Sequence, residues 1–458
     1  MSVVDNLVKF IPEVVRPTEK VVSFGTKMKW TGFVLLAYFI LAQINLFGVA
    51  ESALEQFEAI AVLIGAKFGT LMSLGVGPIV TASIILQLLN GSGVLSYDTS
   101  TAEGKRKFQS LQRLLAFSFI IGQSIIYVAL GGLSPNPIYA GTSTYFTLQV
   151  LITIQLFIGG FLIMLMDDLV QKWGLGSGIG LFIVAGVSQQ VMIRFFSWFT
   201  PEGSEYAVGA VWALIQSIQA GDMNYAVLTM SGIFFTILVI GISIFVQSMK
   251  VEIPLSFGRV RGHAIRWPLN FMYTGVIPVI LIAALLANIQ IAAQLLSNAF
   301  PSINAEAVQA FVSAPNLVPA IIQSQTIFIG WMPYLQFLSY FLIFLVGCIV
   351  FSWFWVQSAN MDARSQAKNI MKSGLQMPGF RKDPRVMEKV LNRYINPLTI
   401  MGAITIAILA VLADVTGSFS SGTGLLLVVM ILYKMYQDIA KQHMSDFNPQ
   451  MRNLFGGN

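Results

Sequence analysis

Ten apolar windows, each about 20 residues long and so of a length to cross a bilayer as helices, follow one another along the chain. They lie at 30–49, 68–90, 114–133, 145–166, 178–198, 226–248, 269–291, 334–357, 394–413 and 420–437. A chain built this way cannot hide its apolar surface in a water-soluble core. Charged residues make up 10% of the sequence against 55% hydrophobic, less than half the charged share of a soluble domain, so lipid must be the main solvent. No long polar insert separates the windows. The pattern predicts one all-α membrane protein of ten transmembrane helices, not the two or three domains of a soluble chain this long.

Lys and Arg set the orientation. Of the 27, 25 fall in the N-terminal segment, in the second, fourth, sixth and eighth connections, or at and beyond the end of the last window. Those segments are therefore expected to be cytoplasmic. The other two are Lys67, at the mouth of the second window, and Arg194, near the end of the fifth; the opposite connection 292–333 holds neither type. An even number of crossings then places both termini inside, with the body in the cytoplasmic membrane. Residues 1–29 carry Lys9, Arg16, Lys20, Lys27 and Lys29 but no early apolar run or small-residue cleavage site, and read as a cytoplasmic amphipathic segment, not a removable signal peptide. Residues 439–458 read as a cytoplasmic tail. Two connections, 249–268 with Lys250, Arg259, Arg261 and Arg266, and 359–393 with eight Lys or Arg, hold more positive charge than orientation requires. The second is long enough to present that charge to an anionic partner.

The centres of the windows hold no Asp, Glu, Lys, Arg or His, the groups that ion-coupled carriers and pumps bury as relays. His263 and His443 lie in cytoplasmic segments, so neither can be the base of a protease within the bilayer. A secondary transporter of inverted repeats is the rival reading; a bound solute or coupling ion would mark it, and the uncharged interior speaks against it. The string GLGSGIG at 174–180 has no Lys-Ser or Lys-Thr after it and no strand before it, so it reads as close helix packing and not as a phosphate loop. No enzymatic activity and no cofactor are expected. The single cysteine, Cys348, sits in an apolar window, which rules out a disulfide within the chain. Segment 51–66, with Glu51, Glu55 and Glu58 spaced by four and three, is amphipathic and too short and polar to cross lipid.

Several strings resemble one family closely. They are GTLMSLGVGPIVTASIILQLLNGSG at 69–93, GLGSGIGLFIVAGVSQ at 174–189, IPLSFGRVRGHAIRWPLNFMYTGVIPVI at 253–280, GFRKDPRVMEKVLNRYINPLT at 379–399 and SGTGLLLVVMILYKMY at 421–436. Together they span the chain, which resembles the SecY family of protein-translocation channels in its archaeal and eukaryotic form. The resemblance implies two pseudo-symmetric five-helix halves around a central pore, here 30–200 and 201–438, with 51–66 as a plug. It places Val76, Val80, Ile179, Ile183, Ile280 and Leu427 in a ring of aliphatic side chains, with Leu426 as the alternative register to Leu427. It places Thr81, Gln123 and Asn288 at a side opening toward lipid. A ring of branched aliphatics can expel water and still lack ligands for any one passing sequence. The same resemblance implies a SecE-type subunit, a small beta or SecG-type subunit and the ribosome as partners, with Arg259, Arg261 and Arg381 as docking residues, and signal sequences and nascent polypeptides as the passengers.

Overall fold

The computed structural model describes residues 11–18, 22–50, 69–91, 93–95, 97, 101–201, 203–257, 264–300, 304–326, 330–372, 375–376, 383–419 and 421–447. The expected plug 51–66 and the three docking arginines, Arg259, Arg261 and Arg381, lie outside the described residues. In chain order the helices are α1 (Phe24–Leu41), α2 (Gly77–Gly91), α3 (Ala102–Ala129), α4 (Ser143–Trp173), α5 (Gly178–Phe196), α6 (Ala210–Ala220) and α7 (Met223–Ser248). Strands β1 (Lys250–Phe257) and β2 (Ala264–Asn270) follow, then α8 (Ile277–Ala299), α9 (Ala305–Val312), α10 (Leu317–Ser324), α11 (Trp331–Ser358), α12 (Ala363–Lys372), β3 (Leu375–Gln376), α13 (Pro384–Val415) and α14 (Gly422–Phe447). A helix stands at each of the ten expected places.

Eight of those ten, α3, α4, α5, α7, α8, α11, α13 and α14, are long and apolar enough to cross a membrane. The other two fall short for visible reasons. The first window, 30–49, is displaced: α1 starts at Phe24, capped by Ser23, whose hydroxyl accepts from the Thr26 amide. It stops at Leu41, and the apolar residues after it form a loop, not a helix. That loop is bridged to the chain at Asn45–Thr70 and Val49–Pro135, and the Gln155 amide on α4 accepts from the Phe47 N–H and donates to its carbonyl. Leu46 and Ala50 of this loop are buried against protein while Ile44 and Phe47 stay exposed, and hydropathy cannot tell such a loop from a continued helix. The second window, 68–90, is helical only from Gly77, because turns occupy 71–76 and Gly75 adopts φ +54. Residues 269–291 also begin late, since Leu269 and Asn270 still belong to β2.

Helices α9 and α10 meet at 97°. They pack on α8, α11 and α7, tied by Gln290 Nε2 to the Val312 carbonyl and Gln309 Nε2 to Gln294 Oε1. The pair, bent back on itself, lies in the chain between the crossings of α8 and α11.

The two basic connections are folded together, which the sequence reading did not anticipate. β1 pairs antiparallel with β2, from Lys250 opposite Asn270 to Ser256 opposite Ala264, and β3 joins the other edge through Ser256–Gln376 and Phe257–Leu375. Ile253, Leu255, Leu269, Ala367, Ile370, Met387 and Leu391 make an apolar core under this sheet, separate from the main one. So the otherwise helical chain carries a small mixed body beside its membrane part.

Candidate functional site: an apolar constriction and the seam beside it

The entry to α2 rests on α4. A side chain at Gly159 would collide with the Leu71 carbonyl, and one at Gly160 would meet Ile120 and Leu74. Two adjacent glycines thus let α4 approach the turn that leads into α2, and small residues serve membrane helices in this way. Val76, at the end of that turn, and Val80, on the first turn of α2, are buried. So are Ile183 on α5 and both Leu426 and Leu427 on α14. Ile179 and Ile280 are partly buried and pack against the same contiguous core. All six expected ring residues therefore belong to one apolar cluster, which draws on α2, α5, α8 and α14.

The helices before and after the α5–α6 connection meet along two main seams. On one, α2 packs against α8 and α11; on the other, α5 packs against α14. The first seam carries a polar contact: Asn288 Nδ2 donates to Thr81 Oγ1 at 2.9 Å, while the same hydroxyl donates to the Gly77 carbonyl at 2.8 Å. One hydroxyl thus accepts across the seam and donates within its own helix. Farther along, Gly91 faces the Phe354 ring so closely that any added carbon would displace it. Gln123 is not part of this contact. It lies on α3 in a groove of about 390 Å³ with Leu115, Ser118, Phe119, Gly122 and Ile126, and no described hydrogen bond joins it to Thr81 or Asn288.

Two carboxylates were missed because the windows end one residue short of them. Asp167, buried near the end of α4, accepts from the Ile179 amide at 3.0 Å and from Gln171 Nε2 at 2.8 Å. Asp414, near the end of α13, accepts from the Thr423 amide at 2.9 Å, from Tyr340 Oη at 2.7 Å and from the Thr423 hydroxyl. A second group sits at the other end of the charge scale, at a surface. Arg113 and Lys172 bridge Glu13 and Asp168 with separations of 2.6 to 2.9 Å. Asp168 also accepts from the Val14 amide, and Lys172 and Trp173 donate to the Val14 and Val15 carbonyls. The N-terminal segment is thereby stapled to α3 and α4, and the Lys172 and Arg113 cations hold the Glu13 carboxyl below its usual range against the opposing effect of burial.

A bundle with eight described helices long and apolar enough to cross a membrane, an apolar cluster that gathers the expected ring residues and a polar contact across one seam is by class a multi-pass membrane protein. The comparisons narrow the class. The SecY family model matches residues 70–436. The protein translocase subunit SecY of Archaeoglobus fulgidus is 39% identical over 97% of both chains, and that of Methanothermobacter thermautotrophicus 38% over 99% of this chain and 98% of its own. Among solved structures, one described as a protein conducting channel superposes with a TM-score of 0.78 at 34% identity, covering 96% of this chain and 97% of that one. Sec61 in the canine ribosome–channel complex gives 0.76 at 33% identity with the same coverage. The chain belongs to the SecY family.

Proposed function

We propose that this chain is the pore subunit of a protein-conducting channel, passing unfolded polypeptides across the cytoplasmic membrane and releasing apolar segments sideways into lipid. The observation that carries the reading is the Asn288–Thr81 bond across the α2–α8 seam, set beside the apolar cluster of Val76, Val80, Ile183 and Leu427. The cluster is the gasket: it excludes water at rest and yields to a chain of any sequence. The seam is the gate. A central Leu gains about 0.3 to 0.6 kcal/mol on entering lipid while a charged residue loses about 2.5 to 3.5, so a passing chain is sorted by composition once the seam parts. The chain carries out no covalent chemistry, and its two halves, 30–200 and 201–438, move as the sides of that gate.

Both termini and the small sheet-containing body face the cytoplasm, in keeping with the Lys and Arg distribution. A ribosome docks there, on Arg259 and Arg261 in the connection between β1 and β2 and Arg381 after β3. The flanking strands are neighbours in one sheet, which supports treating the three as one surface. A SecE-type and a beta-type subunit complete the complex, and α7 offers a lipid-facing row of exposed Met230, Phe234, Ile237 and Phe245. Gln123 belongs to the lining of the opened gate and not to its closed contact.

The test is a cross-link. In a Cys348→Ser background, Thr81→Cys with Asn288→Cys should form a disulfide if the closed seam brings their Cα atoms within roughly 7 Å. Oxidised channels should stop releasing membrane spans and translocate poorly, and reduction should restore both. Full oxidation with translocation at the reduced rate would place the gate elsewhere.

A further inference from the structure

The starts of α5 and α14 are built alike. Each opens on the same five-residue pattern, Ser177-Gly178-Ile179-Gly180-Leu181 and Ser421-Gly422-Thr423-Gly424-Leu425. In each, the second residue of the helix gives its backbone N–H to a carboxylate at the end of the preceding long helix, Ile179 to Asp167 and Thr423 to Asp414. In each, the first glycine is required by that neighbour. A side chain at Gly178 would lie 2.6 Å from Asp167, and one at Gly422 would run into the backbone of Ala413 and Asp414. The first four amides of a helix lack partners of their own, and an anion among them both bonds the amides and favours the positive end of the helix dipole.

The ring residues sit at matching places in this pattern. Ile183 and Leu427 each lie five residues after the first glycine of the helix. Successive crossings alternate in direction, so the fifth and tenth, α5 and α14, run antiparallel and start at opposite faces. A side chain at Gly180 would touch Ile431 at 3.5 Å, which fixes their register: residues are level when their numbers sum to 611. Ile183 with Leu427 gives 610, within one residue, or about 1.5 Å of helix rise. Leu426 would be about 3 Å off. A slip of either helix by one turn, about 5.4 Å, would separate the pair.

We infer that Asp167 and Asp414 are a matched pair of positioning residues, each hanging one pore-lining helix from its own face of the membrane so that Ile183 and Leu427 meet at one level. This rests on the reading of those two residues as part of the constriction. Neither carboxylate touches the passing chain. They act through the helix starts, and Tyr340 and Gln171 in turn hold the carboxylates.

The experiment separates register from sealing. In a Cys348→Ser background, Gly180→Cys and Ile431→Cys report the register by disulfide yield, and planar bilayers report the resting ion conductance. Asp167→Ala and Asp414→Ala should each lower the yield about fivefold, the effect of one lost cap, and raise the conductance. Asp167→Asn and Asp414→Asn keep an oxygen acceptor and should restore both, a rescue that general loss of packing would not show. If an alanine variant does not accumulate in the membrane, Gly178→Ala, which crowds the helix start with the carboxylate intact, should lower the yield in its place. Yields equal to the parent in these variants, or asparagine failing as fully as alanine, would overturn the inference. A fall in yield with unchanged conductance would uphold the positioning role and refute the assignment of Ile183 and Leu427 to the constriction.

Discussion

The two seams that join the halves of the molecule are made of different material. Where α5 meets α14, both helices are tethered at their starts by carboxylates, Gly180 lets Ile431 in, and Tyr38 stacks on Phe182 from behind with ring centres 5.1 Å apart. Where α2 meets α8 and α11, apolar packing is joined by one described amide–hydroxyl bond, and Gly91 leaves room for the Phe354 ring. The Thr81 hydroxyl keeps its bond to the Gly77 carbonyl when that contact is lost, so opening leaves no unsatisfied group on α2. On the proposed reading, the first seam holds while the second parts, so the molecule swings about one side and opens at the other.

The comparison can be broken where its predicted effects are largest. Gly180→Leu overfills the α5–α14 seam and should lower stability by roughly 1 to 3 kcal/mol, read as a fall in melting temperature of the purified protein; a melting point equal to the parent would mean that this seam is as loose as the other. Asn288→Leu at the α2–α8 seam removes about 1 kcal/mol of contact and should leave melting nearly unchanged while raising the frequency of channel openings in planar bilayers. A large loss of stability without added openings would make Asn288 structural glue. Thr81→Val should mimic it, and the double variant should add little to either single one, because both remove the same bond; full additivity would deny the contact.

The smallest effect lies in neither seam. The cations beside Glu13 depress its pKa in the folded protein, so its contribution is present above the ordinary carboxylate pKa and is lost as pH falls through the depressed value. The N-terminal segment should then detach from α3 and α4 only on strong acidification, below the ordinary carboxylate range, seen as new cleavage near residues 11–18 by an acid-active protease, with the pore unaffected. In Glu13→Gln the same cleavage should appear already at neutral pH. A variant as resistant as the parent would show that Asp168 with the backbone bonds of Val14 holds the segment alone.

How much of this was legible from the sequence depended on what covered each residue. Long windows such as 145–166 and 334–357 were read at their true places because lipid and hydropathy agree there. The loop after α1 escapes a hydropathy window because its residues are apolar, while what ends the helix is tertiary: the Phe47 backbone bonds Gln155 on α4 and Gly48 sits against Leu148. Thr81 and Asn288 could be named from motif resemblance, but their contact joins positions 207 apart, which no local pattern encodes. Asp167 and Asp414 left a readable trace in the repeated Ser-Gly-x-Gly-Leu string. Close packing accounts for Gly174 and Gly178, while Gly176 faces open space with φ +79, and only the second copy of the string ties it to a carboxylate.

The body formed by the basic connections has a mechanical side. It is continuous with the ends of α11 and α13 through Val356 and Ile395, and Tyr273, between β2 and α8, donates its hydroxyl to the Met361 carbonyl at 2.6 Å. Burial raises the pKa of that hydroxyl, so the bolt stays protonated at any physiological pH. α8 and α11, the two helices that face α2, are thus fastened at their base to one block. On the proposed gate, a load on the block would reach both together, beginning at the Gly91–Phe354 contact, so that the block acts as a handle for the seam.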